Sequence, residues 1–224
     1  MNQLPDGRLG FGRAFRIASV LACILLAGAC SSSPSPTNGP GGSSGPGGSG
    51  GPASSGSVSP AARATLDAAL AALTGSSEFT SRVTVDGALA TSATGRTVGQ
   101  ATSLTITTAG RTVEYVRVPP NAWAREPGGT WVVVDADEAP DSPLAALAAP
   151  LTLVADPGNP ATVLTATYPA TALGLTGDPA SVTITVAGTT VTFEYQATTS
   201  GRTVVSTTTL QPATDTTPIA TPAA

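Results

Sequence analysis

The chain has a helical hydrophobic pattern where its foldable part begins. The dipeptide Ser59-Pro60 is typical of an N-cap followed by the first helical position, and Gly75 is typical of a residue that ends a helix. Between them, leucines recur at intervals of four and three residues, at Leu66, Leu70 and Leu73. These positions share one face of an α-helix, so the pattern predicts an amphipathic helix packed on a sheet.

From Phe79 onward, apolar and polar residues alternate with a period of two, which is the pattern of half-buried β-strands. Asp86-Gly87 follows the first run and is typical of a hairpin turn. Single glycines and the Pro119-Pro120-Asn121 corner separate the further runs, and these intervals are too short for crossover helices, so we expect an antiparallel meander. The predicted strands are residues 79–85, 88–94, 100–108, 111–118, 130–134, 181–187, 190–199 and 203–210.

A second, short helix is predicted between two groups of strands. Ser142 can cap this helix, Pro143 can begin it and Pro150 ends it, which places Leu144 and Leu147 on one face. Four prolines interrupt the following stretch, up to residue 180, which leaves it open between loops and short edge strands. Helix, strands, short helix and strands together predict the α+β fold class.

The first 29 residues are typical of a secretory signal peptide. A leader with three arginines and one aspartate precedes the uncharged, mostly apolar residues 17–29. As a helix this apolar run rises only about 20 Å, too short for a hydrocarbon core of about 30 Å. The positive end stays inside while the apolar run crosses, so the sequence predicts export of the rest of the chain.

The residues before Cys30 indicate how this signal is processed. Leu26-Ala27-Gly28-Ala29-Cys30 resembles a bacterial lipobox, in which the cysteine thiol is acylated, for example with palmitate, and becomes the new N-terminus. Ala27-Gly28-Ala29 would also suit an ordinary signal peptidase, and the alternative is a soluble secreted protein with an unpaired cysteine. Cys23 follows a similar motif but leaves too short an apolar run. We predict lipid attachment at Cys30, which places the protein on the extracytoplasmic face of the cell membrane.

Composition divides the exported chain into three parts. Residues 31–58 are rich in glycine, serine and proline and bury almost nothing, so we expect a flexible tether behind Cys30 with a mean span of roughly 30 Å. Residues 59–211 have the length of one domain. Residues 212–224 form a proline-, threonine- and alanine-rich tail without periodicity, predicted to be disordered or an exposed stalk.

The exported chain is acidic and poor in reactive side chains. After residue 29 it has seven arginines, no lysine and thirteen acids, a net charge of −6, which makes nucleic acid a poor partner. Its single cysteine excludes an internal disulfide, and histidine, the commonest base and metal ligand, is absent. No nucleophile has an evident activating base. We therefore expect a protein that is not an enzyme, has no cofactor and is a monomer.

Two local groups have both a structural and a functional interpretation. Four acids lack the glycine and glutamate spacing of a calcium loop, which favours a solvated loop over a metal site. Trp123 and Trp131 flank a glycine turn and are predicted to pack in the core rather than line a pocket. Arg125 and Glu126 are predicted to form a surface pair. The four acids are Asp135, Asp137, Glu138 and Asp141.

The order of elements and several stretches resemble the actinobacterial LppX/LprG-type lipoprotein family, whose fold is a LolA-like half-barrel. Residues 114–134, EYVRVPPNAWAREPGGTWVVV, look like the family's hairpin, in which a strand bearing tyrosine leads to two tryptophans around a glycine turn. Residues 168–188 and the GRTV at 201–204 resemble its closing strands. The resemblance covers about residues 59–211 and implies a strongly curved antiparallel sheet with helices on its concave side. In the family, an apolar cavity between sheet and helices accepts acyl chains of envelope lipids or lipoglycans.

The apolar pattern and this resemblance together define a candidate site. We expect the helix leucines to face period-two apolar residues of the sheet across a cavity, where burying each methylene gains roughly 0.8 kcal/mol. The expected function is a membrane-anchored envelope lipoprotein that binds or carries a lipid or glycolipid. The alternative is a surface-tethered protein-interaction module with a solid core. The predicted lining residues are Leu66, Leu70, Val83, Val85, Leu104, Ile106, Val113, Tyr115, Leu144 and Leu147.

Overall fold

Alternating apolar residues build one face of a large antiparallel sheet. The computed structural model describes residues 57–136, 139–140, 142–159, 161–173, 175, 177–199 and 201–223, and within them eleven strands form one open sheet. The strands are β1 (Ser76–Val85), β2 (Ala88–Val98), β3 (Ala101–Thr108), β4 (Arg111–Val118), β5 (Asn121–Arg125), β6 (Val132–Val134), β7 (Thr152–Ala155), β8 (Val163–Tyr168), β9 (Ala180–Ala187), β10 (Thr190–Thr199) and β11 (Arg202–Pro212).

The first strand lies in the middle of this sheet. β1 pairs with β2 on one side and with β11 on the other, with Phe79 opposite Leu210. From β1, strands β2 to β6 follow in chain order to one edge, and β11 back to β7 follow in reverse order to the other. The predicted antiparallel meander is confirmed, and the β1–β11 pair joins its two halves.

Most predicted strands are present, and the differences lie at turns and prolines. The prediction omits β5, because the Pro119-Pro120 corner is a hairpin turn that leads directly into another strand, with Val118 opposite Asn121. β7 and β8 form in the stretch that the prolines left open. β7 has four residues and is an edge strand, where few ladder hydrogen bonds are needed.

Both predicted helices are present. The first, α1, is Pro60–Ala71, and the Ser59 Oγ accepts a hydrogen bond from the Ala62 amide at 3.5 Å. Ala69 is buried and Leu70 only half-buried, so the buried stripe is rotated slightly from the predicted leucines. The second, α2, is Pro143–Leu147. A 3₁₀ turn covers Ala170–Leu173, and no helix in the described part of the chain is long and apolar enough to cross a membrane.

The two faces of the sheet differ in burial. We call the face that carries Phe79 the inner face and the opposite one the outer face. Phe79, Ser81 and Val83 are buried while Thr80 and Arg82 between them are exposed, as alternation requires. α1 packs against β7 and β10, and its buried residues belong to the same apolar cluster as those of the inner face. The core therefore lies between α1 and the inner face.

The outer face carries a row of threonines. Thr80 lies opposite Thr94 on one side and Thr209 on the other, and the Thr209 and Thr192 hydroxyls are 3.1 Å apart. Threonine is β-branched and polar, which suits the solvent side of a pleated sheet. Six threonines thus lie in register on six adjacent strands: Thr105, Thr94, Thr80, Thr209, Thr192 and Thr185.

The two ends of the chain are predicted to form a signal, a tether and a tail. The predicted signal peptide, Cys30 and the tether as far as residue 56 lie outside the described residues. Residues 213–223 carry no helix or strand, but their start contacts the sheet. The Ala213 amide donates to the Ser76 carbonyl at 3.3 Å, and Asp215 forms an ion pair with Arg96 at 2.5 Å.

Candidate functional site

The predicted lining residues lie on the inner face and on the two helices that accompany it. Four of them are half-buried and pack against the main apolar cluster: Leu70, Ile106, Val113 and Leu144. The other six are buried: Leu66, Val83, Val85, Leu104, Tyr115 and Leu147.

These residues form two groups rather than one. Leu104 lies opposite Tyr115 on the neighbouring strand, and both belong to the cluster that contains Leu66 and Leu147. Val83 and Val85 belong to a second, smaller cluster with Val204 of β11. The structure therefore unites the α1, α2, β3 and β4 residues of the prediction and leaves the two β1 valines apart from them.

Hydroxyl side chains occupy the inner face between the two groups. Ser81 and Thr208 lie opposite each other on β1 and β11, both buried, and the Thr208 hydroxyl donates to the Ser81 Oγ at 2.9 Å. Ser206 follows along β11, fully buried beside Tyr195 of β10, and its Oγ has no well-formed hydrogen bond to any described residue. We call Ser81, Thr208 and Ser206 the hydroxyl belt. The period-two alternation of β1 predicts the face on which Ser81 lies. It does not predict that the hydroxyls of β11 lie beside Ser81, because that depends on the β1–β11 register.

Several of the largest buried side chains lie on strands that the candidate site omits. Phe193, Ile184 and Leu164 lie in a cross-strand row on β10, β9 and β8, beneath α1. The apolar alternation in residues 181–187 and 190–199 is sufficient to predict that Ile184 and Phe193 are buried. The prediction missed them because it paired α1 with the first meander, whereas α1 packs on the second.

Two buried tyrosines connect elements around this core. The Tyr168 hydroxyl on β8 donates to the Leu147 carbonyl of α2 at 3.1 Å. Burial raises the pKa of Tyr168 to about 12, against a smaller opposing effect of Arg63. Burial likewise raises the pKa of Tyr195 to about 12, with the Ser206 hydroxyl opposing the rise. Both phenols stay neutral at any physiological pH and act as hydrogen-bonding groups rather than as bases.

The arginine–glutamate pairing near the tryptophans differs from the prediction. Arg125 pairs with Glu114 at 2.5 Å and lies over the Trp131 ring at 4.3 Å, while Glu126 pairs with Arg111 at 2.9 Å. The predicted Arg125–Glu126 pair is therefore wrong, because Glu114 lies directly opposite Arg125 on the neighbouring strand.

The other tryptophan, Trp123, is buried on the outer face. It lies opposite Val116 of β4 and Val133 of β6. Alternation along β5 turns its side chain away from the inner face, so Trp123 packs outside the candidate site and contributes nothing to its lining.

Acidic residues are scattered in the described part of the chain. Asp137, Glu138 and Asp141 of the predicted acidic loop lie outside the described residues, and Asp135 is exposed. Among described residues, no three histidine, cysteine, aspartate or glutamate side chains lie close enough to hold a metal ion.

Two shallow depressions open on the surface, and neither contains a predicted lining residue. One, of about 230 Å³, lies over the centre of the outer face and is lined by Glu78, Phe79, Thr80, Thr94, Gly95, Thr209 and Gln211. The other, of about 420 Å³, lies at the ends of β2 and β3 and is lined by Leu89, Ala90, Ser92, Thr107, Thr108, Ala109 and Gly110. Six of the ten predicted lining residues are buried, and none of the ten borders either depression.

Comparison with known proteins identifies no family for this chain. No protein-family model matches it, and no curated protein matches it significantly.

Proposed function

We propose that this protein is an envelope lipoprotein, anchored to the cell membrane through an acylated Cys30, which binds a lipid or glycolipid on the inner face of a half-barrel sheet. The short apolar signal, the lipobox-like residues and the uncharged tether support the anchor. The acidic charge of the exported chain makes a covalent anchor necessary, because anionic lipid surfaces repel it.

One observation carries the lipid-binding part of the proposal. Eleven strands form one sheet with a largely apolar inner face, while α1, with twelve residues, makes its main strand contacts with β7 and β10. Val83, Val85 and Val204 form an apolar area away from the α1 cluster, and the hydroxyl belt separates it from that cluster. An apolar area bordered by hydroxyls suits a ligand with an acyl chain and a polar linkage.

The anchor is tested by Cys30→Ala. The protein is expressed in its native host, and membrane and soluble fractions are compared with the wild type. The variant should move to the soluble or culture fraction, and mass spectrometry of the wild type should find acyl chains on residue 30. Membrane retention of the variant without any acyl mass on the wild type would contradict the anchor.

The lipid site is tested by Val83→Trp, with Val182→Trp as the matched control. Val182 is fully buried in the α1 cluster, so a tryptophan there overpacks the core and costs about 1–3 kcal/mol. A lipid site predicts that Val83→Trp keeps its melting temperature and loses the lipids that co-purify with the wild type. Equal destabilisation by both substitutions, with no lipid on the wild type, would overturn it.

The second candidate function is a tethered protein-interaction module. The continuous packing of α1 against the inner face favours it, since Leu66, Leu104, Tyr115 and Leu147 belong to one buried cluster with Phe193 and Tyr168. In that case the inner face is a solid core and recognition uses the outer surface.

A further inference from the structure

Three aliphatic side chains are exposed around one edge of the sheet. Val58, Leu151 and Val154 are 38%, 48% and 46% exposed, on or beside the edge strand β7. Exposed single aliphatics are common, but these three surround the point where the described chain begins. We call them the tether-side patch.

Backbone hydrogen bonds fix the position of this patch on the sheet. Val58 forms a parallel bridge with Leu153, and the Ser59 amide donates to the Leu153 carbonyl at 2.8 Å, immediately before α1 begins. On the other side, the Leu151 amide donates to the Thr167 carbonyl at 2.7 Å. The chain that enters from the tether is therefore attached along the outer edge of β7.

Charges close to the patch are already engaged. Arg63 of α1 pairs with Asp67 at 2.9 Å and donates to the Ala148 carbonyl at 3.2 Å. Asp156, just after β7, accepts the amides of Gly158 and Asn159 at 2.8 and 3.0 Å. A surface bounded by paired or locally bonded charges loses little solvation when its apolar centre leaves water.

The position of the patch identifies its partner. About 27 residues of uncharged chain lead back from Ser57 to Cys30, and a flexible tether of this length, as predicted, would have a mean span of roughly 30 Å. Val58 is therefore among the first described residues after the predicted anchor, and its bridge to Leu153 brings Leu151 and Val154 beside it. The tether thus gives the patch a high effective concentration at the bilayer. We propose that the tether-side patch inserts its aliphatic side chains into the interfacial region of the bilayer that holds Cys30, so that the β7 edge faces the membrane. This inference rests on the proposed anchor.

Site-directed fluorescence on the mature lipoprotein tests the proposal. With Cys30 acylated, a new cysteine is the only free thiol, so an environment-sensitive probe can be attached at Leu151→Cys or Val154→Cys. The matched controls are Leu89→Cys and Val133→Cys, which are 54% and 66% exposed, away from β7 on β2 and on the opposite edge strand β6. The protein is reconstituted into vesicles of phosphatidylethanolamine and phosphatidylglycerol with a nitroxide-labelled lipid as quencher.

If the proposal is correct, the emission of the probe at positions 151 and 154 shifts to the blue and is quenched by the nitroxide-labelled lipid. At positions 89 and 133 the probe emits as it does in water. Equal signals at all four positions, or stronger quenching at position 133, would overturn it. A blue shift at position 151 that depends on protein concentration and persists in detergent, without vesicles, assigns the patch to a second copy of this chain and also overturns it.

A second measurement separates failure of the patch from failure of the anchor. Released Cys30→Ala protein is sedimented with phosphatidylcholine vesicles, whose net charge is zero and which do not repel the acidic chain. In that background, Leu151→Ser/Val154→Ser is compared with Leu89→Ser/Val133→Ser. The tether-side double variant should bind about tenfold more weakly, because two aliphatic side chains are lost from the interface. Equal binding by the two double variants contradicts the patch whether or not Cys30 carries a lipid.

Discussion

Gly95 lies on β2 in a crowded part of the inner face. A Cβ at this position would lie 2.6 Å from the Ser103 carbonyl oxygen and 2.7 Å from the Phe79 ring. Phe79 is the cross-strand neighbour of Gly95 on β1, so its ring occupies the space that a side chain would take. Glycine is therefore required at position 95, because the Ser103 carbonyl oxygen and the Phe79 ring leave no room for a Cβ.

We predict that Gly95→Ala lowers the free energy of unfolding by about 1–3 kcal/mol, because a backbone oxygen cannot move aside as a flexible side chain can. Ser92→Ala on the outer face of the same strand is the control and should change stability by less than about 0.5 kcal/mol. Urea denaturation measures both, and equal stability of Gly95→Ala and the wild type would contradict the crowding.

Buried Tyr168 predicts an alkaline limit to stability. Its pKa is about 12 in the folded protein and about 10 when unfolded, so its stabilising effect is complete below pH 10 and lost as pH rises through 12. Tyr168→Phe should reduce the loss of stability between pH 10 and 12, and should cost about 1 kcal/mol at pH 7 through the missing bond to Leu147. Urea denaturation at pH 7, 10 and 12 checks this, and an unchanged alkaline loss would rule it out.

At the scale of elements, the decisive contact is the β1–β11 pair. Every other neighbouring pair in the sheet joins strands that follow one another along the chain, whereas β1 and β11 come from its two ends. On the inner face their contact includes the buried hydrogen bond from Thr208 to Ser81. The junction of the two meanders therefore depends on a polar contact inside an apolar face.

We predict that Ser81→Ala costs about 1–3 kcal/mol, because it leaves the Thr208 hydroxyl buried without its partner. Adding Thr208→Val should recover part of this loss, since it removes the unpaired hydroxyl at similar volume. A double-mutant cycle in urea measures the coupling. If the losses of stability in the two single variants add up to the loss in the double variant, the two hydroxyls do not act together.

At the scale of the whole molecule, the chain separates into a segment that cannot bury apolar surface and one that does. We predict that proteinase K cuts the exported protein within residues 31–56 and leaves residues 59–211 as one resistant fragment. Both edges of the sheet belong to this fragment, so its two meanders should resist together. Mass spectrometry of the digest identifies the fragment, and early cleavage between β6 and β7 would contradict a single cooperative unit.

Local patterns in the sequence determined much of this protein. The Ser59 cap, the hairpin at Asp86-Gly87, the Ser142-Pro143 helix start and the inner positions of β1 follow from neighbours a few residues apart, and the structure contains all of them. Such features need only backbone preference and the period of the side chains. The lipobox-like residues before Cys30 are equally local.

Only the tertiary structure decided which distant residues meet. The β1–β11 register, the packing of α1 on the second meander, the Arg125–Glu114 pair and the separation of Val83 from Leu104 all join residues or elements distant in the sequence. Period-two alternation places a side chain on a face but does not determine which strand becomes its neighbour. The six strand residues of the candidate site were therefore predicted on one face of the sheet, while their division into two groups by the hydroxyl belt depends on strand order.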